Sequence, residues 1–336
     1  MDTQKDGAAF GVGLVLVTAV LWGTVGPAQV LASSPMTPAA LGGWRLLAGG
    51  LVLGVFTVRP KTMRILAAPT IVRPLLVCAL STSVYQAAFL GSVARTGAAL
   101  ATVVALGTAP VATGLCARWV TGERMGPAWS ASTVAAVAGC GLLLAPGGSR
   151  VDPLGLFLAV AAGTCYGLYT VSAKQLATTT TNAHLPALSA LSLLVGSLPL
   201  LPWMINGAAA MRDGATLGLI AWLGVVTTAA AYWLFTLGLS RVRATTAGTL
   251  SLAEPLAAAL IGALLLHERL SASAWAGCAL ILLGMVTTCL PSLTRGRSSV
   301  RATHTARNRR TTFAGHPEQP GRGEVCAGQS EASTKS

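Results

Sequence analysis

The chain reads as an all-α membrane protein, with ten transmembrane helices arranged as two inverted five-helix repeats. Three observations predict this. Only 10% of the 336 residues are charged while 53% are hydrophobic, ten long apolar stretches follow one another, and unusual residues recur at a separation near 145.

Soluble domains carry roughly 25% charged residues. A chain this poor in charge, with a mean hydropathy of +0.66, cannot cover a water-facing surface. Its charges gather in short clusters between apolar runs and after Pro291. An apolar solvent accounts for that pattern.

A hydrocarbon core of about 30 Å takes about 20 residues of helix to cross. The stretches that meet this are 10–32, 37–58, 71–93, 97–119, 127–145, 153–177, 184–205, 214–240, 243–266 and 272–290. Each is apolar all round, which a soluble amphipathic helix is not. Turn residues such as Ser33-Ser34-Pro35 and Pro146-Gly147-Gly148 mark the connections. The first apolar run is too long for a cleaved signal peptide and is read as the first span. The expected organisation is a cytoplasmic amino terminus (1–9), a first five-helix repeat (10–145), a second (153–290) and a basic cytoplasmic tail (291–336). The tail has almost no large apolar residues, so burial cannot offset its ordering entropy and disorder is expected. Its run Arg307-Asn308-Arg309-Arg310 could meet anionic lipid headgroups or simply be solvated.

Basic residues set the orientation. With the amino terminus inside, Lys5, Arg59, Lys61, Arg64, Arg73, Arg118, Arg124, Lys174, Arg241, Arg243 and the tail face the cytoplasm. Arg95, Arg150, Arg212 and Arg269 face outward. The excess predicts a multi-pass protein of the inner (plasma) membrane with both termini cytoplasmic.

Several function classes fall away. The net charge of +13 comes largely from the tail and helix ends, with no aromatic-basic platform for nucleic acid. The seven cysteines show no paired metal spacing, and six lie in or beside apolar runs. His184, His267, His304 and His316 lie at helix ends or in the tail, so the pattern expected of an intramembrane enzyme is missing. No phosphate-cradling G-x4-G-K-[ST] loop occurs, so no ATP motor and no cofactor is expected.

At a separation of 145, Pro110 falls on Pro255, Glu123 on Glu268, Arg124 on Arg269 and Gly139 on Gly284. Trp22-Gly23 pairs with Tyr166-Gly167 at 144, and Tyr85 with Tyr232 and Gly91 with Gly238 at 147. Two units of five helices follow. Five is odd, so the second unit enters the membrane upside down, an arrangement that marks many secondary transporters.

The duplicated Pro-x12-Glu-Arg followed by a deep Gly resembles the EamA-type members of the drug/metabolite transporter superfamily. The stretch from Glu254-Pro255 to Glu268-Arg269-Leu270 carries the resemblance most fully, and Trp22-Gly23 and Arg45-Leu46-Leu47-Ala48 are similar to further family features. It covers roughly residues 10–290 and implies export or exchange of amino acids, metabolites or toxic compounds. One departure is Ala109-Pro110 in the first repeat where the second has Glu254-Pro255.

Of the ten acidic residues only Glu254 lies within a span. An intramembrane acid suggests a proton-coupling or amine-binding group. It could instead cap backbone groups freed by Pro255. Arg45 lies about 12 Å from the outer end of helix 2, where it could hold a substrate carboxylate, snorkel, or bind carbonyls. Pro110 and Pro255 are expected to kink their helices. Trp22, Gln29, Tyr85, Gln86, Tyr166, Tyr169 and Trp233 supply polar tips for a pocket, or pack and anchor as aromatics commonly do. Gly50-x3-Gly54 and Gly163-x3-Gly167 read as close helix contacts. The Glu-Arg pairs read as turn and helix-end charges.

The expectation is a gradient-driven transporter, an exporter working by alternating access. Its partners would be a small-molecule substrate, protons or another coupling ion, and membrane lipid. A passive channel or non-transporting scaffold is the alternative, with an intramembrane enzyme behind it.

Overall fold

The computed structural model describes residues 2–66, 68–143, 152–265 and 271–288, and no strand occurs among them. The 291–336 tail with its arginine run lies outside the described residues. So do the Pro146-Gly147-Gly148 turn, Arg150, His267 and the Glu268-Arg269 pair.

Helix α1 (Asp2–Gly23) breaks at Thr24 and continues as α2 (Val25–Ala32). Then come α3 (Pro38–Thr57), the short α4 (Pro60–Ile65), α5 (Pro69–Thr96), α6 (Ala98–Val120) and α7 (Pro127–Leu143). The second half runs α8 (Pro153–Thr179), α9 (Leu185–Ser197), α10 (Leu201–Asn206), α11 (Gly214–Gly224), α12 (Ala231–Arg241), α13 (Ala244–Leu250), α14 (Ala253–Leu265) and α15 (Ala272–Thr288). A π-helical segment, Val225–Ala230, joins α11 to α12.

Eight stretches are long and apolar enough to cross a membrane: Gly7–Ala32, Pro38–Thr57, Pro69–Thr96, Leu100–Val120, Pro153–Thr179, Leu185–Asn206, Gly214–Arg241 and Ala244–Leu265. The apolar helices α7 and α15 are shorter. Each of the ten stretches expected from sequence thus holds helix, and among the described residues eight reach full spanning length.

Local chemistry explains the helix starts. Proline occupies the first turn of α3, α4, α5, α8 and α9, where its missing N–H costs nothing. Asp152 accepts from the Gly155 amide at 2.9 Å, and Asp213 from the Thr216 amide at 2.9 Å and its hydroxyl at 2.8 Å. These bonds hold both carboxyls below the usual carboxylate range. Between α5 and α6 the chain turns at Gly97 with φ +83°, a conformation that favours glycine.

Polarity is distributed inside out. Phe56, Val55, Trp119 and Leu264 lie 74–80% exposed, while Thr18, Ser92, Thr113, Thr216, Thr227 and Thr249 are fully buried. Buried hydroxyls return their hydrogen bonds to carbonyls of their own helices, as Thr113 does to Ala109 at 2.7 Å. Apolar side chains facing outward and small polar ones facing inward define a multi-pass integral membrane protein.

The packing repeats when the halves are exchanged. Helix α8 packs on α5 and α6, and its counterpart α1 packs on α12 and α14. Likewise α5 packs on α9, and α11 on α3, while α3–α9 and α6–α13 join the halves. Glycines set these crossings. Gly23 lies against Ala257 and Ala258, and Gly167 against Ala112 and Thr113. Gly11 abuts Arg241 and Val242, while Gly155 abuts Arg95 and Thr96. A Cβ built on Gly139 would lie 2.7 Å from the Gly277 carbonyl oxygen, and one on Gly277 would lie 2.5 Å from the Leu143 nitrogen. Helices α7 and α15 therefore meet backbone to backbone.

Gly277→Leu is accordingly expected to destabilise the folded protein by about 2 kcal/mol through overpacking. Thermal unfolding in detergent micelles checks it: an unchanged melting temperature would contradict the close approach.

Candidate functional site: a cavity between the two halves

A cavity of about 610 Å³ lies at the junction of the halves, lined from α1, α2, α3, α5, α6 and α7 on one side and α8, α11, α12 and α14 on the other. Aromatic rings form much of its wall. Trp22 sits edge-on to Tyr166 and Tyr232, with ring centroids 6.2 and 5.6 Å away, and lies 5.3 Å from Phe235. Tyr169 meets Tyr232 edge-on at 5.4 Å, and Tyr85 stacks on Phe89 at 5.7 Å.

Hydrogen bonds fix these rings at weak points in the backbone. The Trp22 indole donates to the Thr227 carbonyl, inside the π-helical segment, at 3.0 Å. The Tyr166 hydroxyl donates to Ser251 Oγ at 2.5 Å, and Ser251 donates to the Ala247 carbonyl at 2.9 Å. Ser251 stands at the interruption between α13 and α14.

That interruption places Glu254. The carboxylate residue falls in the first turn of α14, where unpaired amides and the helix dipole favour negative charge. Pro255 is the third residue of α14, so its missing N–H removes no helical bond there. The break falls at Ser251–Leu252, ahead of the proline. Pro110, by contrast, lies within the uninterrupted α6, and α5 carries a further internal proline, Pro74, that the sequence reading did not single out.

Arg45 enters the cavity from α3, and Gln86 from α5. Both leave buried polar nitrogens, Arg45 Nε and Gln86 Nε2, without a hydrogen-bond partner. Arg45 and Glu254 share the cavity, yet the ion pairs among the described residues are Arg95–Asp152 and Arg243–Glu123.

Of the expected pocket residues, Glu254, Arg45, Trp22, Gln29, Tyr85, Gln86, Tyr166 and Tyr169 all line the cavity. Trp233 does not; it is 43% exposed on the outer surface. Its neighbour Tyr232 points inward instead, as successive helical residues face about 100° apart. The pairing of Tyr232 with Tyr85 in the repeat was the signal that could have found it. Ser81, Thr82, Phe89, Thr102 and Cys165 also line the cavity, and no sequence pattern marks them.

Glu123 does more than sit in a turn. Its carboxylate accepts from the Ala244 amide at 2.9 Å, the Thr245 amide at 3.2 Å and the Thr245 hydroxyl at 2.7 Å. Arg243 approaches it at 3.5 Å and donates to the Arg124 carbonyl at 2.7 Å. Glu123 therefore caps α13 from across the half boundary. Nearby, the Lys174 ammonium donates to the carbonyls of Leu239 and Val242 at 2.6 and 2.8 Å, closing the carboxyl end of α12.

Glu123→Ala should lower stability by about 1 to 2 kcal/mol, as loss of an N-terminal cap does. Thermal melting of the purified variant checks this; a neutral result would mean the cap is replaced by water at no cost.

A membrane bundle of two matching halves around a central cavity that holds Arg45 and Glu254 has the form of a transporter. The two halves match the EamA-like transporter family separately, over residues 9–145 and 153–290, and the chain belongs to that family. An uncharacterized transporter of Bacillus subtilis (strain 168), YwfM, is 35% identical over 295 residues, covering 86% of this chain and 96% of that protein. The threonine/homoserine exporter RhtA of Escherichia coli (strain K12) is 32% identical over 141 residues, 41% of this chain and 46% of that protein. A solved crystal structure superposes with a TM-score of 0.70 over 84% of this chain and 97% of its own, at 21% identity, which shows the fold alone.

Proposed function

We propose that the protein is a gradient-driven exporter of small molecules, amino acids among them, that works by alternating access across the plasma membrane. The observation that carries this reading is which helix ends the wall of the central cavity reaches. Its wall includes Gln29, Pro38, Val93 and Leu143, all near helix ends on one side of the bundle. The opposite side is tied by the Glu123 cap and the Lys174 bonds. A cavity between two matching halves, with its wall reaching helix ends on one side, fits one half-cycle of an alternating mechanism.

In this reading all ten apolar helices cross the membrane. At 17 residues, α7 rises about 25 Å, and a modest mismatch of that size is met by local thinning or snorkelling. Five crossings per half invert the second repeat, and the distribution of arginine and lysine puts both termini in the cytoplasm. The cavity then faces outward. Glu254 supplies the protonatable group that couples substrate movement to a proton gradient. The exporter named for threonine and homoserine, similar over about half its length, supports amino acids as cargo.

Two measurements test this. Glu254→Gln should leave the protein folded and abolish pH-gradient-driven uptake into inverted vesicles; ordinary gradient-driven uptake would remove Glu254 from the coupling role. A reporter tag inserted just before Asp152 should face the side opposite both termini, and tagging on the cytoplasmic side would refute the inverted threading.

A further inference from the structure

Arg45 Nε and Gln86 Nε2 are buried nitrogens without a hydrogen-bond partner. Gln86 is 6% exposed. The Tyr232 hydroxyl lies beside the Arg45 guanidinium and still leaves its Nε without a partner. Neither nitrogen can serve as an acceptor while it carries its proton, and a guanidinium has five donors and no acceptor at all. Buried polar groups are almost always paired, so two orphans on one wall point to a missing acceptor.

The two donors are neighbours by construction. A Cβ built on Gly42 would lie 3.1 Å from Gln86 Nε2. Gly42 therefore lets the amide of Gln86 lie directly across α3. Arg45 follows three residues later on the same face of that helix. The guanidinium presents two parallel N–H bonds, a geometry that fits a carboxylate, and the amide of Gln86 adds a third. The cavity also holds Glu254, which disfavours a ligand bearing more than one negative charge and accepts one that also bears an amine.

We propose that Arg45 and Gln86 form a carboxylate clamp, so that the molecule held in the cavity is a small monocarboxylic acid, amino acids included. This deepens the exporter reading and rests on it for the meaning of the cavity. The clamp itself is a statement about binding and is tested without flux.

The purified full chain is melted in detergent with saturating single L-amino acids, lactate or pyruvate, and with the corresponding amides. At least one acid should raise the melting temperature and its amide should not. Arg45→Gln and Gln86→Leu, each checked to melt like the parent without ligand, should weaken that acid about 10-fold or more, the loss expected for a charged hydrogen-bond partner. Stabilisation by an amide equal to that by its acid overturns the clamp. So does the absence of any response to the acids, or binding that survives both substitutions. The same proteins in liposomes separate the two readings: acid binding that needs Arg45 and Gln86 but no solute flux would uphold the clamp and refute the transporter role.

Discussion

Lipid offers a polypeptide no hydrogen bonds, and everything distinctive in this bundle follows from how its backbone copes with that. Where the helical ladder is intact, the outer surface is simply apolar. Where it falters, an aromatic side chain hydrogen-bonds a residue at the irregularity. The break at Thr24 is met by the Trp222 indole, which donates to the Thr24 hydroxyl at 3.1 Å. The π-helical segment receives the indole of Trp22, and the break at Ser251 receives the hydroxyl of Tyr166. Trp22, Tyr166 and Glu254 all border the cavity. Polar side chains of the cavity thus gather where the helices depart from regular α geometry.

Two of those bonds also connect the halves. Trp22 belongs to the first half and Thr227 to the second; Trp222 and Thr24 reverse that relation. Glycine contacts do the same at matching positions, with Gly23 facing Ala257 and Gly167 facing Ala112. Such contacts gain from close dispersion packing rather than from the hydrophobic effect, since the lipid is as apolar as the helix surface. The two halves thus share a common set of interfaces that survives their exchange.

Much of this was legible in the sequence because the signals were local. Apolar run length located every long helix, though not the short α4, and α7, α8, α11 and α15 begin where the expected stretches do. The repeat register was legible through rare residues such as Trp22-Gly23 and Tyr166-Gly167. Inward direction was harder to read. Trp233 and Tyr232 differ by one helical position, and only packing on Trp22 and Tyr169 decides which turns inward. The bond from Glu123 to α13 spans over a hundred residues of chain, and no spacing rule reports such a contact. The helix break ahead of Pro255 was likewise hidden, because a proline shows where a helix can be weak but not on which side it yields.

Glu123 engages two amides and a hydroxyl simultaneously, so the ends of α6 and α13 cannot drift apart in a dry setting. Parting them bares a carboxylate and leaves the start of α13 unfilled at the same moment. Water alone can replace both sets of bonds. Parting that end of the bundle would therefore be a wetting event, set by how readily solvent takes over the bonds of Glu123 rather than by how much greasy surface must be peeled away.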